Sequence, residues 1–179
     1  MKIKEKNKHK NNSKSCKFIL ITISSTRYNL HKDASNPTDA NDTSGEIMHN
    51  AIAKQSHTIL KYMLIKDGLD SIKNAIKNAL KFNPDVIITT GGTGLTHSDV
   101  TIEAIKPMFR KELDGFGELF RYKSIQQIGS SVILTRATAG LIDNAVVFCL
   151  PGSPNAVTLA LNEIILSEIG HVVKHVNSD

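Results

Sequence analysis

The segment Thr89-Thr-Gly-Gly-Thr-Gly94 carries the densest chemical signal in the chain. Three glycines and interleaved threonines follow the apolar run Val86-Ile-Ile88. Glycine lets backbone N–H groups approach an anion closely, and the carboxyl end of a parallel strand is where open α/β sheets bind ligands. The pattern therefore points to phosphate, with a plain tight turn as the alternative. Two familiar nucleotide fingerprints are excluded. No Gly-Lys-Ser/Thr follows the glycines, as a Walker loop requires, and a dinucleotide motif needs glycine where this chain has His97.

Two acids stand at comparable places. Asp99 lies five residues beyond Gly94, and Asp67 follows the apolar run ending at Ile65. In a parallel sheet both can face one crevice. Two carboxylates beside a phosphate loop make chemical sense when a cation offsets the like charges, and Mg²⁺ does this while bridging phosphate oxygens. The competing readings are a helix N-cap for Asp99 and a turn residue before Gly68 for Asp67. Leu150-Pro-Gly-Ser-Pro154 forms a second strand-end loop with a glycine and a hydroxyl, suited to another anion at a helix start.

These loops need elements to hold them. Residues 18–24 and 62–65 read as strands, and 85–90 as a strand covered on both faces. Residues 25–43 read as a long polar loop. A helix follows from Asp42 or Ser44 to about Gln55, and an amphipathic helix covers 69–81. The order β-α-β-α-β predicts an α/β fold with a mostly parallel sheet. Further on, 99–105 is a short helix, and 116–128 is a helix with Phe116, Leu119, Phe120 and Ile128 as its apolar positions. Residues 136–142 and 145–150 flank Asp143-Asn144, a pair suited to a tight hairpin. The last helix covers 155–165, with Leu159, Ala160 and Ile164 inward.

Composition narrows the partners. The chain has 179 residues, 40% hydrophobic and 22% charged, with net charge +5. Residues 1–17 hold seven lysines and one acid, +6 in all, which leaves −1 for the rest. The basic character therefore belongs to a leading segment, read as a disordered tail over 1–17 ahead of a single domain over 18–179. A nucleic-acid partner is not expected. Cys16 falls at the end of that tail, and Cys149 inside an apolar run reads as a buried small hydrophobe. The basic start before 18–23 mimics a signal peptide, but it is long, contains Glu5 and leads to no small-x-small cleavage site. No stretch approaches the roughly 18 apolar residues of a membrane span, so the expected compartment is the cytoplasm.

Taken together, the motifs resemble the MoaB/MogA family of molybdenum cofactor biosynthesis proteins, within the wider molybdopterin-binding group. The resembling stretches are Ser24-Ser-Thr-Arg27, Asp42-Thr-Ser-Gly45, Asp67, Thr90-Gly-Gly-Thr-Gly94, Asp99-Val-Thr101 with Glu103, Gly115-Phe-Gly-Glu-Leu-Phe-Arg121, Thr135-Arg136 and Leu150-Pro-Gly-Ser-Pro154. They run through about residues 18–173, and the 115–121 segment is closest to the MoaB branch. The resemblance implies a three-layer α/β/α sandwich assembling as a trimer or hexamer. It implies adenylylation of molybdopterin with Mg-ATP, releasing pyrophosphate, before molybdate or tungstate is inserted, with a downstream metal-insertion protein as a further partner.

On the residues, the resemblance implies catalytic and Mg²⁺-holding roles, direct or through water, for Asp67 and Asp99. Gly91, Gly92, Thr93 and Gly94 would cradle phosphates, flanked by Thr90 and Thr101. Ser44, Gly45, Pro151, Gly152 and Ser153 would hold the pterin or its phosphate, and Ser24 and Arg27 would add contacts from the first strand end. Two positions depart from the family's usual pattern. Ser25 stands where an aspartate is usual, and Ser98 where an arginine is frequent. Arg27, Lys66 or a neighbouring subunit are the candidate replacements for the missing cation. The departures keep a second reading in view, a non-catalytic molybdopterin-binding or scaffold protein. A third makes the basic tail primary, in an adaptor for an acidic partner.

Overall fold

Six segments rich in β-branched and apolar residues pair into one sheet in the computed structural model, which describes residues 15–178. The strands are β1 (Lys17–Ile23), β2 (Thr58–Ile65), β3 (Val86–Thr90), β4 (Lys111–Glu112), β5 (Thr138–Ile142) and β6 (Ala145–Leu150). Their spatial order is β2-β1-β3-β6-β5-β4. The first four in that order are mutually parallel; β5 runs antiparallel to both β6 and β4. Every residue of β3 and β6 is buried, as expected of central strands covered on both faces. Ile142 pairs with Ala145, so Asp143-Asn144 is the two-residue hairpin connection, with Asp143 at φ 50°.

The helices are α1 (Ser25–Leu30), α2 (Thr43–Lys54), α3 (Leu69–Leu80), α4 (Thr101–Ile105), α5 (Asp114–Ile128), α6 (Pro154–Ala160) and α7 (Leu166–Val176). Strand side chains alternate between faces, so β1 feeds two cores. Phe18 and Leu20 join Met48, Ile52, Phe116, Phe120, Val157 and Ile165 on one face. Ile19 and Ile21 join Ile72, Ile76, Ala104 and Ile105 on the other. Helices therefore cover both sides of a mixed, mostly parallel sheet, the three-layer α/β/α arrangement expected from the sequence.

Several local expectations are corrected. The predicted loop over 25–43 opens with helix α1, capped by the Ser24 side chain on the Arg27 N–H. Leu119 and Ile128 of α5 are exposed rather than inward. Its buried residues, Phe116, Gly117, Phe120 and Ser124, form a narrow stripe at fourfold spacing. The last helix does not stop at 165. A π-helical turn, Leu161–Ile165, joins α6 to α7. The resulting helix, Pro154–Val176, is long and apolar enough by length and composition alone to cross a membrane, contrary to the expectation of no such stretch. Its inner stripe, including Leu161, Ile164, Ile165 and Ile169, is sealed in the core. Strand β4 and the 3₁₀ turns Lys106–Met108 and Gly129–Leu134 were not foreseen.

Most of the basic tail lies outside the described residues. Its last members are already packed: Cys16 is buried and its N–H donates to His57 Nδ1, while the Lys17 N–H donates to Asp85 Oδ2. Cys149 is fully buried, which pushes its thiol up to about 12 and keeps it protonated.

Asp42 is 2% exposed, and a buried carboxylate needs partners. Its Oδ2 accepts from Thr22 Oγ1 at 2.6 Å and from the Tyr62 hydroxyl at 3.0 Å. A Cβ on Gly45 would stand 2.3 Å from that same oxygen. This network ties α2 to β1 and β2. Tyr62→Phe removes one of the two donors and should lower the unfolding free energy by about 1.5–3 kcal/mol, read from urea denaturation midpoints.

Candidate active site

The four parallel strands end at one edge of the sheet, and each hands over a loop from that edge. β1 leads to Ser24 and Ser25, β2 to Asp67, β3 to the glycine loop, and β6 to Pro151-Gly-Ser153. Register enforces the alignment: Ile23 pairs with Ile65, Thr22 with Thr90, and Thr90 with Leu150. Because β5 runs the other way, its first residues, preceded by Arg136, arrive at the same edge.

The glycine loop is tightly tethered. Gly91 has φ +99° and Gly92 φ +62°, in the region that favours glycine. A Cβ on Gly91 would sit 2.2 Å from the Ile23 carbonyl oxygen. The Gly91 N–H donates to Leu150 O at 3.1 Å, so this amide belongs to the sheet and not to an anion, contrary to expectation. Thr101 fastens the other side: its N–H donates to Gly92 O and its hydroxyl to Gly91 O, both at 2.9 Å. Thr90 Oγ1 donates to Pro151 O at 2.9 Å, and Ser44 Oγ to Gly152 O at 2.8 Å. The two strand-end loops thus touch, and a Cβ on Gly152 would come within 3.3 Å of Gly91 Cα.

Both acids reach this loop. A Cβ on Gly92 would lie 3.0 Å from Asp67 Oδ1, and one on Gly94 would lie 2.7 Å from Asp99 Oδ2. Asp99 is not the cap of α4. Val100 holds that position, while the Asp99 carboxylate accepts from the Thr96 amide at 2.9 Å and from the Thr96 hydroxyl. The Thr96 hydroxyl chiefly, with the Thr96 and Gly94 amides and Arg136, holds the Asp99 carboxyl below its ordinary value. Asp67 accepts from Ser25, through both the amide and the hydroxyl at 2.8 Å. The serine that departs from the family's usual acid is therefore a hydrogen-bond partner of Asp67.

Three cationic side chains stand near these loops, each with a partner in the chain. Arg27 Nε donates to Asn41 O, and Lys66 lies over the Tyr28 ring. Arg136 donates to Gly94 O at 3.1 Å and pairs with Glu103. It also lines a cleft of about 390 Å³ with Lys106, Arg121, Glu112, Glu118 and Thr138. A larger cleft, about 500 Å³, lies at the opposite sheet edge beside Asp143 and Asn144, away from this chemistry.

The remaining predicted site residues divide. Ser24 caps α1, and the Ser153 side chain accepts from Ala156 N–H as the cap of α6. Thr93 and Gly45 are buried, so Gly45 makes room for Asp42 instead of facing the edge. Ser25, Thr96 and Arg136 reach these loops although none was expected to bind or act there. Thr96 had a local signal, a hydroxyl three residues before an aspartate; Ser25 and Arg136 join the site only through the fold.

The donor chemistry fits Mg²⁺. Among the described residues no cluster of three or more His, Cys, Asp or Glu side chains forms a closed metal cage. Mg²⁺ is instead commonly held by one or two carboxylates plus substrate phosphates, which is what Asp67 and Asp99 beside a glycine loop offer.

Residues 19–171 match the family described as "Probable molybdopterin binding domain". The chain is 41% identical over 162 residues to "Molybdenum cofactor biosynthesis protein B" of Bacillus subtilis, covering 89% of each. It is 43% identical over 166 residues to "Molybdopterin adenylyltransferase" of Pyrococcus furiosus, covering 90% of this chain and 92% of that one. Its fold superposes on the crystal structure of the tungsten cofactor synthesizing protein MoaB from Pyrococcus furiosus with TM-score 0.79 and 42% identity, over 91% of this chain and 98% of the other. The family match over residues 19–171 and identity of this extent place the chain in the molybdopterin-binding family of molybdenum cofactor biosynthesis proteins, in its MoaB branch.

Proposed function

We infer that this chain is a molybdopterin adenylyltransferase of molybdenum or tungsten cofactor biosynthesis, acting on molybdopterin and Mg-ATP. The observation that carries the reading is the meeting of Asp67 and Asp99 on one glycine loop at the carboxyl edge of the sheet. The relative from Pyrococcus furiosus named for this activity supports it.

The reaction joins two anions. An oxygen of the terminal phosphate of molybdopterin attacks the α-phosphorus of ATP, the bond to the β-phosphate oxygen breaks, and pyrophosphate leaves. Positioning and charge neutralisation dominate such a step. Bound Mg²⁺ supplies charge neutralisation and a template for the phosphates. The chain supplies the rest. The Gly92 amide is assigned to a phosphate oxygen, and Asp67 and Asp99 are the cation's anchors. Arg136 offsets charge at the Gly94 end. Pro151-Gly-Ser153, held against Gly91 and Ser44, borders the molybdopterin phosphate. Pyrophosphate is a good leaving group, so no strong general acid is required.

The departures at Ser25 and Ser98 motivate the alternative of a non-catalytic binder. The Ser25–Asp67 hydrogen bonds and the placement of Arg136 weigh against it. Complementation separates the two. In a bacterium deleted for its own molybdopterin adenylyltransferase, the chain should restore molybdoenzyme activity. No restoration, with folded protein that binds molybdopterin, would make it the binder.

The same reading includes a homo-oligomer. Leu119, Tyr122, Ile125 and Ile128 of α5 are exposed, followed by exposed Ile133 and Leu134. Apolar surface of this kind marks a contact site. Ile125→Glu should lower the mass measured by light scattering without altering the helical signal in circular dichroism.

A further inference from the structure

The two carboxylates are each gripped by one residue, Ser25 at the start of α1 and Thr96 in the loop before α4. The Ser25 N–H and Oγ–H both donate to Oδ2 of Asp67, each at 2.8 Å. The Ser25 oxygen in turn accepts the Asp67 N–H at 3.0 Å, which closes the pair reciprocally. The Thr96 N–H, at 2.9 Å, and its hydroxyl both donate to Oδ2 of Asp99. In each case a single residue commits its amide and its hydroxyl to one oxygen of one acid.

This geometry has a chemical consequence. A carboxylate oxygen that already accepts two strong hydrogen bonds is a poor further ligand, and the grip fixes rotation about the terminal side-chain bond. At Asp99 the gripped Oδ2 is itself the oxygen nearer Gly94, so there the grip sets the place of the whole carboxylate; at Asp67 the second oxygen is the one left free. It is Oδ1, which lies against the glycine loop, 3.0 Å from where a Cβ of Gly92 would stand. We propose that Ser25 and Thr96 are positioning residues: Ser25 commits Oδ2 of Asp67, so that this acid meets the cation and phosphates through Oδ1 alone, and Thr96 fixes the Asp99 carboxylate in place beside Gly94. The proposal rests on the adenylyl-transfer reading for its purpose, while the grip itself is a property of nucleotide and cation binding. Groups that orient ligating carboxylates typically change metal affinity or activity by about 10- to 100-fold when removed.

The test uses Ser25→Ala, Thr96→Val and the hydroxyl-retaining Ser25→Thr and Thr96→Ser. Mn²⁺ binding is measured by electron paramagnetic resonance in the presence of α,β-methylene-ATP, which cannot react. Turnover and molybdopterin KM are measured separately. The expected result is about a tenfold or greater loss of Mn²⁺ affinity and of kcat in Ser25→Ala and Thr96→Val. Molybdopterin KM should stay within about threefold, and both hydroxyl-retaining variants should recover binding. Thermal melting identifies a variant that simply fails to fold, and the recovery by Ser25→Thr and Thr96→Ser then carries the comparison. Unchanged Mn²⁺ affinity and kcat in folded Ser25→Ala and Thr96→Val would overturn the proposal. If the wild type shows no turnover but loses Mn²⁺ affinity on Ser25→Ala and regains it on Ser25→Thr, the grip stands and the enzyme reading falls.

Discussion

Asp67→Asn and Asp99→Asn each lower kcat for adenylyl transfer by about a hundredfold or more, while molybdopterin affinity changes by less than about tenfold. Asparagine keeps the shape of aspartate and removes its charge. The reaction brings two polyanions together, so the lost term appears mainly where the cation and the α-phosphate are held, and less where the pterin is bound. Steady-state kinetics with equilibrium molybdopterin binding on the same preparations separates the two effects. Asp99 gives the sharper contrast, because a purely structural role was open to it. It accepts from Thr96 and does not cap α4. Equal loss of binding and turnover in Asp99→Asn would return it to the role of a loop former. The Thr96 hydrogen bonds hold the Asp99 carboxyl below its ordinary value, so it stays ionised down through weakly acidic pH. An acid limb of the rate near neutral pH therefore belongs to another group.

Gly92→Ala has the second large effect. The added carbon would stand 2.5 Å from Thr101 Oγ1 and 3.0 Å from Asp67 Oδ1, at a backbone φ of +62°. An L-residue in this region costs about 1–2 kcal/mol before any clash. Relief of the clash must move Thr101, which fastens the loop, or Asp67, the proposed cation anchor. Turnover should fall by more than about a hundredfold with a lower melting temperature. Gly115→Ala is the control: a Cβ there meets nothing within 4 Å, so activity and melting should stay close to wild type.

The parts of the site legible in the sequence were those written locally. A buried strand running into three glycines has few other uses, and acids just past apolar strands must lie at the same sheet edge once the strands are parallel. Ser25 was read as a lost acid because its hydrogen bonds to Asp67 span 42 positions. Arg136 reaches Gly94 only because β5 runs antiparallel and brings its start to the edge. Helix α1 was hidden because none of its residues is buried, which leaves no apolar period to detect. The extent of the last helix was hidden by the π-helical turn at Leu161–Ile165, which shifts the apolar stripe out of the 3.6-residue period. Leu119 and Ile128 failed in the opposite sense. They are apolar and helical but face outward, where a second copy of the chain is their proposed partner.

The most direct test follows the adenylyl group itself. Purified protein is mixed with molybdopterin, ATP labelled at the α-phosphate, and Mg²⁺, and the label in the molybdopterin fraction is compared with pyrophosphate released. Equimolar adenylyl-molybdopterin and pyrophosphate are expected, dependent on Mg²⁺ and abolished when Asp67 and Asp99 are both replaced by asparagine. Protein that binds molybdopterin while all the label remains in ATP would contradict adenylyl transfer by this chain.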